Sequence, residues 1–170
     1  MPVIAPNDHV DQMIRQTRQH HVQLSVMADF KASILLTIAS VVLSITVPQL
    51  GKAAYHSAAQ TLLVFCLLTI ILAAWVAMPK APGLFGRRRL TDPVNLLFFG
   101  HFVDLPYEDY EARMIELAQE PTRVFQAQVL EIYQLGQFLA RKKFRVLRLA
   151  YVTFIIGLVA SGIVLLLSTS

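Results

Sequence analysis

The chain has 170 residues, 55% of them hydrophobic and only 15% charged, with a mean hydropathy of +0.54. Soluble domains usually carry roughly 25% charged residues, so the composition leaves two classes, a very apolar globule or a membrane protein. The net charge of +4 and isoelectric point near 9.5 would suit a nucleic-acid binder, but the placement of the charges argues against that partner.

Residues 8–28 carry Val10, Met13, Thr17, His20, Leu24 and Met27 at spacings of 3 and 4. That spacing predicts a helical stripe with weak heptad character, packed against another helix and running on into an apolar segment. Asp29 and Lys31 stand at the mouth of that segment. They serve either as positional anchors or as a latch that can pair with the RKK cluster, residues 141–143.

Residues 32–51, 53–79 and 149–170 contain no Asp, Glu, Lys or Arg. A helix needs about 20 mostly apolar residues to cross a hydrocarbon core of ~30 Å, so spans are expected at 32–50, 57–78 and 149–168. The first is no signal peptide, because a long polar stretch precedes it and no small-residue cleavage site follows. Three such segments in so short a soluble chain would leave too little polar surface to cover them. Within the first span Ser33, Thr37, Ser40 and Ser44 line one face, with Asp29 extending it. In the third, Thr153, Gly157 and Ser161 repeat every 4 residues. Small and hydroxyl residues so spaced let helices approach and hydrogen-bond, or line a hydrated path after rearrangement. Cys66 is the single cysteine and lies mid-span, so no disulfide framework exists.

Between the second and third spans, residues 79–95 are rich in Pro and Gly and are expected to be irregular. The apolar plug NLLFFGH, 95–101, then sits between GRRR and an acidic cluster. DLPYEDYEARMIELAQE predicts a short helix with Asp104 as N-cap and Tyr107, Tyr110, Met114 and Leu117 on its apolar face. Pro121 ends it and can begin the next. From Thr122 a pattern of Phe125, Val129, Ile132, Leu135 and Leu139, interrupted in propensity only by Gly136, predicts one unbroken helix through RKKFRVLR into the third span. Some 45 residues would make a rod of roughly 68 Å, linking a cytoplasmic event to the membrane.

Lys and Arg set the expected orientation. Residues 1–31 and 79–148 hold every Lys and Arg except Lys52, and they hold all eleven acidic residues. The positive-inside rule puts the N-terminus and 79–148 in the cytoplasm, with loop 51–56 and the C-terminus outside. RRR and RKKFR then act as topology anchors and no nucleic-acid partner is expected. The chain shows no nucleophile arrangement, Gly-rich phosphate loop or HExxH, and His20, His21 and His101 are too few and scattered for a metal site; neither an enzyme nor a metal centre is expected.

ADFKASILL entering the first span, NLLFFGH after the second, and EIYQLGQFLARKKFRVLRLA entering the third resemble the Pycsar transmembrane effectors, over about residues 20–165. Pycsar is the bacterial pyrimidine cyclase system for antiphage resistance. The resemblance implies an all-α effector in the bacterial inner membrane, C-terminus periplasmic. It would respond to cyclic CMP or cyclic UMP from a partner cyclase and disrupt the membrane, causing abortive infection. No other cofactor is implied.

A pocket for such a nucleotide wants an Arg for the phosphate, amide or imidazole groups for base and ribose, and an apolar wall. NLLFFGH beside RRR holds all three kinds of group: Arg87, Arg88 and Arg89, Asn95 and His101, Phe98 and Phe99. The plainer reading is that Phe98 and Phe99 seal a small core while Asn95 satisfies backbone groups. One chain has too few spans for an aqueous pore, so a homo-oligomer is expected. The alternative function is a ligand-independent membrane scaffold with a cytoplasmic docking surface.

Overall fold

The computed structural model describes residues 8–78, 95–103 and 105–169. Among them the chain is all helix, in the order α1 (Asp8–Thr46), two 3-10 turns (Val47–Gly51 and Ala53–Tyr55), α2 (His56–Ala77), α3 (Phe99–Phe102), α4 (Tyr107–Ala118), α5 (Pro121–Phe138), a π-helical turn (Leu139–Phe144) and α6 (Arg145–Thr169). The chain divides into two compact units. One comprises Met1–Gln23 with Pro79–Phe138, the other Leu24–Met78 with Leu139–Ser170. Three helical stretches are long and apolar enough to cross a membrane.

Local chemistry explains the element ends. No Gly or Pro interrupts residues 8–46, and Asp8 and Asp11 complement the dipole at the start of α1. Pro48 lacks the N–H that an α-helix would use, so α-geometry stops at Thr46 and a tighter 3-10 turn follows. His56 Nδ1 lies 2.7 Å from the Leu50 carbonyl and pins that turn to the head of α2. Pro121 opens α5, where a missing N–H costs nothing.

In the spanning unit the three helices meet through small residues. Ala28 and Ala32 of α1 pack with Val76 of α2 and Leu147 of α6, and Leu35 packs with Ala73 and Ala150. In lipid no hydrophobic force drives helices together, so close backbone approach must supply the attraction. The outward side chains are large and apolar: Ile34, Ile38 and Val41 on α1, Leu67 and Ile71 on α2, Ile155, Val159 and Leu166 on α6.

Two expectations are corrected by this structure. On α1 the buried positions are Ile14, Ala28, Ala32, Leu35, Ala39 and Thr46; of the expected stripe Val10, Thr17 and Leu24 are partly covered, as is His21, while Met13, His20 and Met27 are exposed. The seam therefore lies one residue beyond the Met13–His20–Met27 register. On α4, Tyr110, Met114 and Leu117 are partly covered but Tyr107 is 69% exposed. Pro106 occupies the N-cap position without a side-chain cap; Asp104 lies outside the described residues.

The expected long helix into the third span is present as one helical stretch, Pro121–Ser168, whose geometry changes locally to a π-helical turn at Leu139–Phe144. Leu139, Lys143 and Leu147 are all buried. Eight residues of α-helix at 3.6 per turn overshoot two full turns by about 80°, which would swing Leu147 away from the face of Leu139. The wider π turn absorbs the difference and keeps the three in line.

Candidate functional site

The unit containing α4 and α5 holds a cavity of about 400 Å³. Its walls are Asn95 and Leu96 of the plug, Arg113, Glu116 and Leu117 of α4, and Arg123, Ala127 and Leu130 of α5. The plug is held by Asn95, which is 2% exposed. Its side-chain oxygen accepts from the Leu97 N–H at 3.0 Å, its amide donates to Gln134 Oε1 at 2.9 Å, and its backbone N–H donates to His101 Nδ1 at 3.2 Å. The Phe98 ring meets the His101 imidazole edge-on, with centroids 5.2 Å apart. The structure thus brings Asn95, Phe98 and His101 together. The Asn95 side-chain oxygen shapes the turn while its amide ties the plug to α5, and the His101–Asn95 bond requires an unprotonated Nδ1. Arg87, Arg88 and Arg89 lie outside the described residues, as does the side chain of Phe99.

The cationic groups at the cavity are instead Arg113 and Arg123, which the sequence reading did not single out. Arg123 Nη1 pairs with Glu116 Oε1 at 3.1 Å and approaches Glu120 at 3.7 Å, with every partner about half exposed. Pairs so exposed contribute only about 0.2–1 kcal/mol, whereas a guanidinium meets a phosphate through stronger, charge-assisted bonds. The volume lies in the range of small-ligand pockets, with apolar walls for a flat ring and two guanidinium groups for an anion.

Elsewhere in this unit Arg18 reaches the buried Glu131 at 3.0 Å. Burial pushes the Glu131 carboxyl up, and the Arg18 charge partly offsets that rise. Gly136 lets the His21 ring lie against α5, since an added Cβ would come within 3.3 Å of it. That contact explains the one residue that interrupts the helical propensity of this segment.

In the spanning unit Asp29 pairs with the RKK cluster. Lys143 Nζ sits 2.7 Å from both carboxylate oxygens of Asp29 and donates to Ser25 Oγ at 2.8 Å. The Lys143 side chain is 9% exposed, that of Asp29 44%. A buried ammonium requires such partners, and the π turn is what presents it. Lys31 is exposed and takes no part through its side chain; its carbonyl accepts from the Tyr151 hydroxyl at 3.3 Å.

The two polar stripes separate. Gly157 and Ser161 are buried and Thr153 partly so, with Gly157 against Phe65 of α2. Ser33, Thr37 and Ser44 are exposed and Ser40 partly covered, so this stripe packs against no helix of its own bundle. Thr37, Ser40 and Ser44 return their hydroxyls to the carbonyls of Ser33, Leu36 and Ser40 at 2.8–3.0 Å.

A family model described as the Pycsar effector protein domain matches residues 12–168. The chain belongs to that family. The match takes in all but the first four residues of α1 and the last of α6, with α2, the plug and the α4–α5 cavity, so the Pycsar effector domain is nearly the whole chain. Membership supports a role as an effector of antiphage defence, in a cyclic-nucleotide partner system, and the three apolar helices make this Pycsar effector a membrane protein. No curated protein and no solved structure matches it.

Proposed function

We propose that this Pycsar effector is activated by cyclic CMP or cyclic UMP from a partner cyclase and then permeabilises the bacterial inner membrane, aborting infection. The chain acts as a binder and carries out no reaction of its own. The observation that carries the reading is family membership across residues 12–168. The cavity supports it chemically: Arg113 and Arg123 take the phosphate, and Leu96, Leu117 and Leu130 flank the base. The distribution of Lys and Arg supports an N-terminus and residues 79–148 in the cytoplasm, where the nucleotide is made, with the C-terminus periplasmic. The cavity assignment is tested by calorimetric titration of the detergent-solubilised chain with both nucleotides. Arg113→Gln with Arg123→Gln is expected to weaken binding at least about tenfold, the worth of one charge-assisted bond; parental affinity in the double variant removes the cavity from the reading. In cells, depolarisation is expected only when cyclase and effector are both active. A membrane potential indifferent to the nucleotide would favour a scaffold.

Permeabilisation calls for several copies, because three spans cannot enclose a hydrated path. The outward hydroxyl stripe of α1 supports that step, since it lies free of its own bundle and is flanked by Val41 and Ile45. Ser40→Leu with Ser44→Leu is expected to abolish killing while leaving nucleotide affinity unchanged. Undiminished killing by a fully inserted double variant would take the stripe out of the mechanism.

A further inference from the structure

The end of the spanning bundle that carries residues 47–55 holds a second cavity, of about 480 Å³. We propose that it binds one anionic phospholipid per chain, with the headgroup on Lys52 and one acyl chain in the slot below. The assignment is independent of the nucleotide reading.

The cavity is amphipathic along its depth. Gln49, Lys52 and Tyr55 lie at its mouth, in or beside the 3-10 turns, while Leu62 and Leu158 lie further along α2 and α6. From Tyr55 to Leu62 the wall runs about 10 Å, a third of a hydrocarbon core of ~30 Å. The room comes from small residues: Ala58 and Ala59 on α2, and Gly162 on α6, where an added Cβ would meet nothing within 4 Å. Two lining hydroxyls are spent on their own helices, Thr46 on the Val42 carbonyl at 2.7 Å and Ser161 on Leu158 at 3.0 Å. The slot therefore presents hydrocarbon, which suits an acyl chain and repels a polar solute.

The mouth is built rather than loose. Beyond the His56 contact with Leu50, the Lys52 N–H donates to the Gln49 carbonyl at 3.1 Å and the Tyr55 N–H to that of Lys52 at 3.0 Å. Ser168 Oγ donates to the Leu165 carbonyl at 2.9 Å and lies 3.5 Å from the Ala54 carbonyl, so the end of α6 reaches the same turn. Charge selects the ligand. Lys52 is the sole charged residue between Lys31 and Lys80, and among the described residues no ion pair engages it. A cation at the interface beside an apolar slot complements an anionic headgroup and its chain, whereas a zwitterionic headgroup brings its own ammonium toward Lys52.

Native mass spectrometry of the full chain in non-ionic detergent tests this, with phosphatidylglycerol and phosphatidylethanolamine offered at equal concentration. One phosphatidylglycerol per chain is expected, in preference to phosphatidylethanolamine. Lys52→Gln should reduce that preference about fivefold, the equivalent of one lysine's attraction to an anionic headgroup. Gly162→Leu, pointing into open space, should remove the adduct while helix content and melting stay at parental values. Equal retention of the two lipids, parental retention by Lys52→Gln, or an adduct surviving in folded Gly162→Leu each overturns the assignment. So does occupation of the slot by a second copy of the chain, seen as a dimer lost in Gly162→Leu.

Discussion

Gly157→Ala will unseat α6 from α2, although it adds a single methyl group. The new Cβ would stand 2.3 Å from Phe65 Cβ and 2.9 Å from its Cγ. Carbon atoms pack at about 3.5–4.0 Å, so the helices must part by more than 1 Å. Phe65 cannot turn aside, because the clash is with the atoms nearest its backbone rather than with the far end of the ring. Overpacking of this kind costs about 3 kcal/mol, and in lipid the separated surfaces gain no compensating hydrophobic term. Melting of the purified chain in detergent, followed by far-ultraviolet dichroism, should show a clear fall for Gly157→Ala and almost none for Gly162→Ala, which meets open space on the same helix. Equal melting of the two variants would mean that α2 and α6 do not approach as described.

The second large effect is expected at the Asp29–Lys143 pair. Asp29→Leu leaves an ammonium whose side chain is 9% exposed with only the Ser25 hydroxyl for company. Removing one partner of a fully buried pair costs 3–5 kcal/mol; because Asp29 is nearly half exposed and water can reach the site, about 2 kcal/mol is the appropriate figure here. Lys143→Met should cost less, since an exposed carboxylate is readily hydrated. The double variant should recover most of the loss of Asp29→Leu, because joint replacement by apolar groups of similar volume leaves no charge stranded. Additive losses in a double-mutant cycle of melting midpoints would show that the two side chains are uncoupled.

The Asp29–Lys143 pair also marks the boundary between what one dimension carries and what three decide. A run of some 20 residues without charge is a property of the string, and the lipid requires every backbone group in it to be satisfied within the helix. The three spans and the all-α class were therefore legible. Gly157 and Ser161 were legible as well, because small residues at intervals of 4 have few other uses in a span. The hydroxyl stripe of α1 has the same spacing, yet α1 packs through Ala28, Ala32 and Ala39 instead. A serine or threonine hydroxyl can satisfy itself on the carbonyl four residues back, so it does not demand a neighbour.

The register of α1 shows a different limit. Met13–Ile14, His20–His21 and Met27–Ala28 are adjacent pairs, and either member of each supports the same 3–4 periodicity. What separates them is the partner: Gly136 admits the ring of His21, and Val76 and Leu147 enclose the alanine at 28. The cavity arginines escaped notice for a related reason. Arg113 and Arg123 lie ten residues apart on different helices, whereas Arg87–Arg89 form a conspicuous run. Only the turn between α4 and α5 brings the former pair to one wall.

Composition and order alone thus established an all-helical membrane chain with three spans and a charged intervening segment, since each of these follows from the local cost of placing charge or open backbone in hydrocarbon. Side-chain partners were a matter for the folded chain. The inward face of α1, the π turn that aligns Leu139, Lys143 and Leu147, and the meeting of Asn95 with Gln134 each depend on which distant residue offers a gap, a charge or a hydrogen bond, and no periodicity encodes that choice.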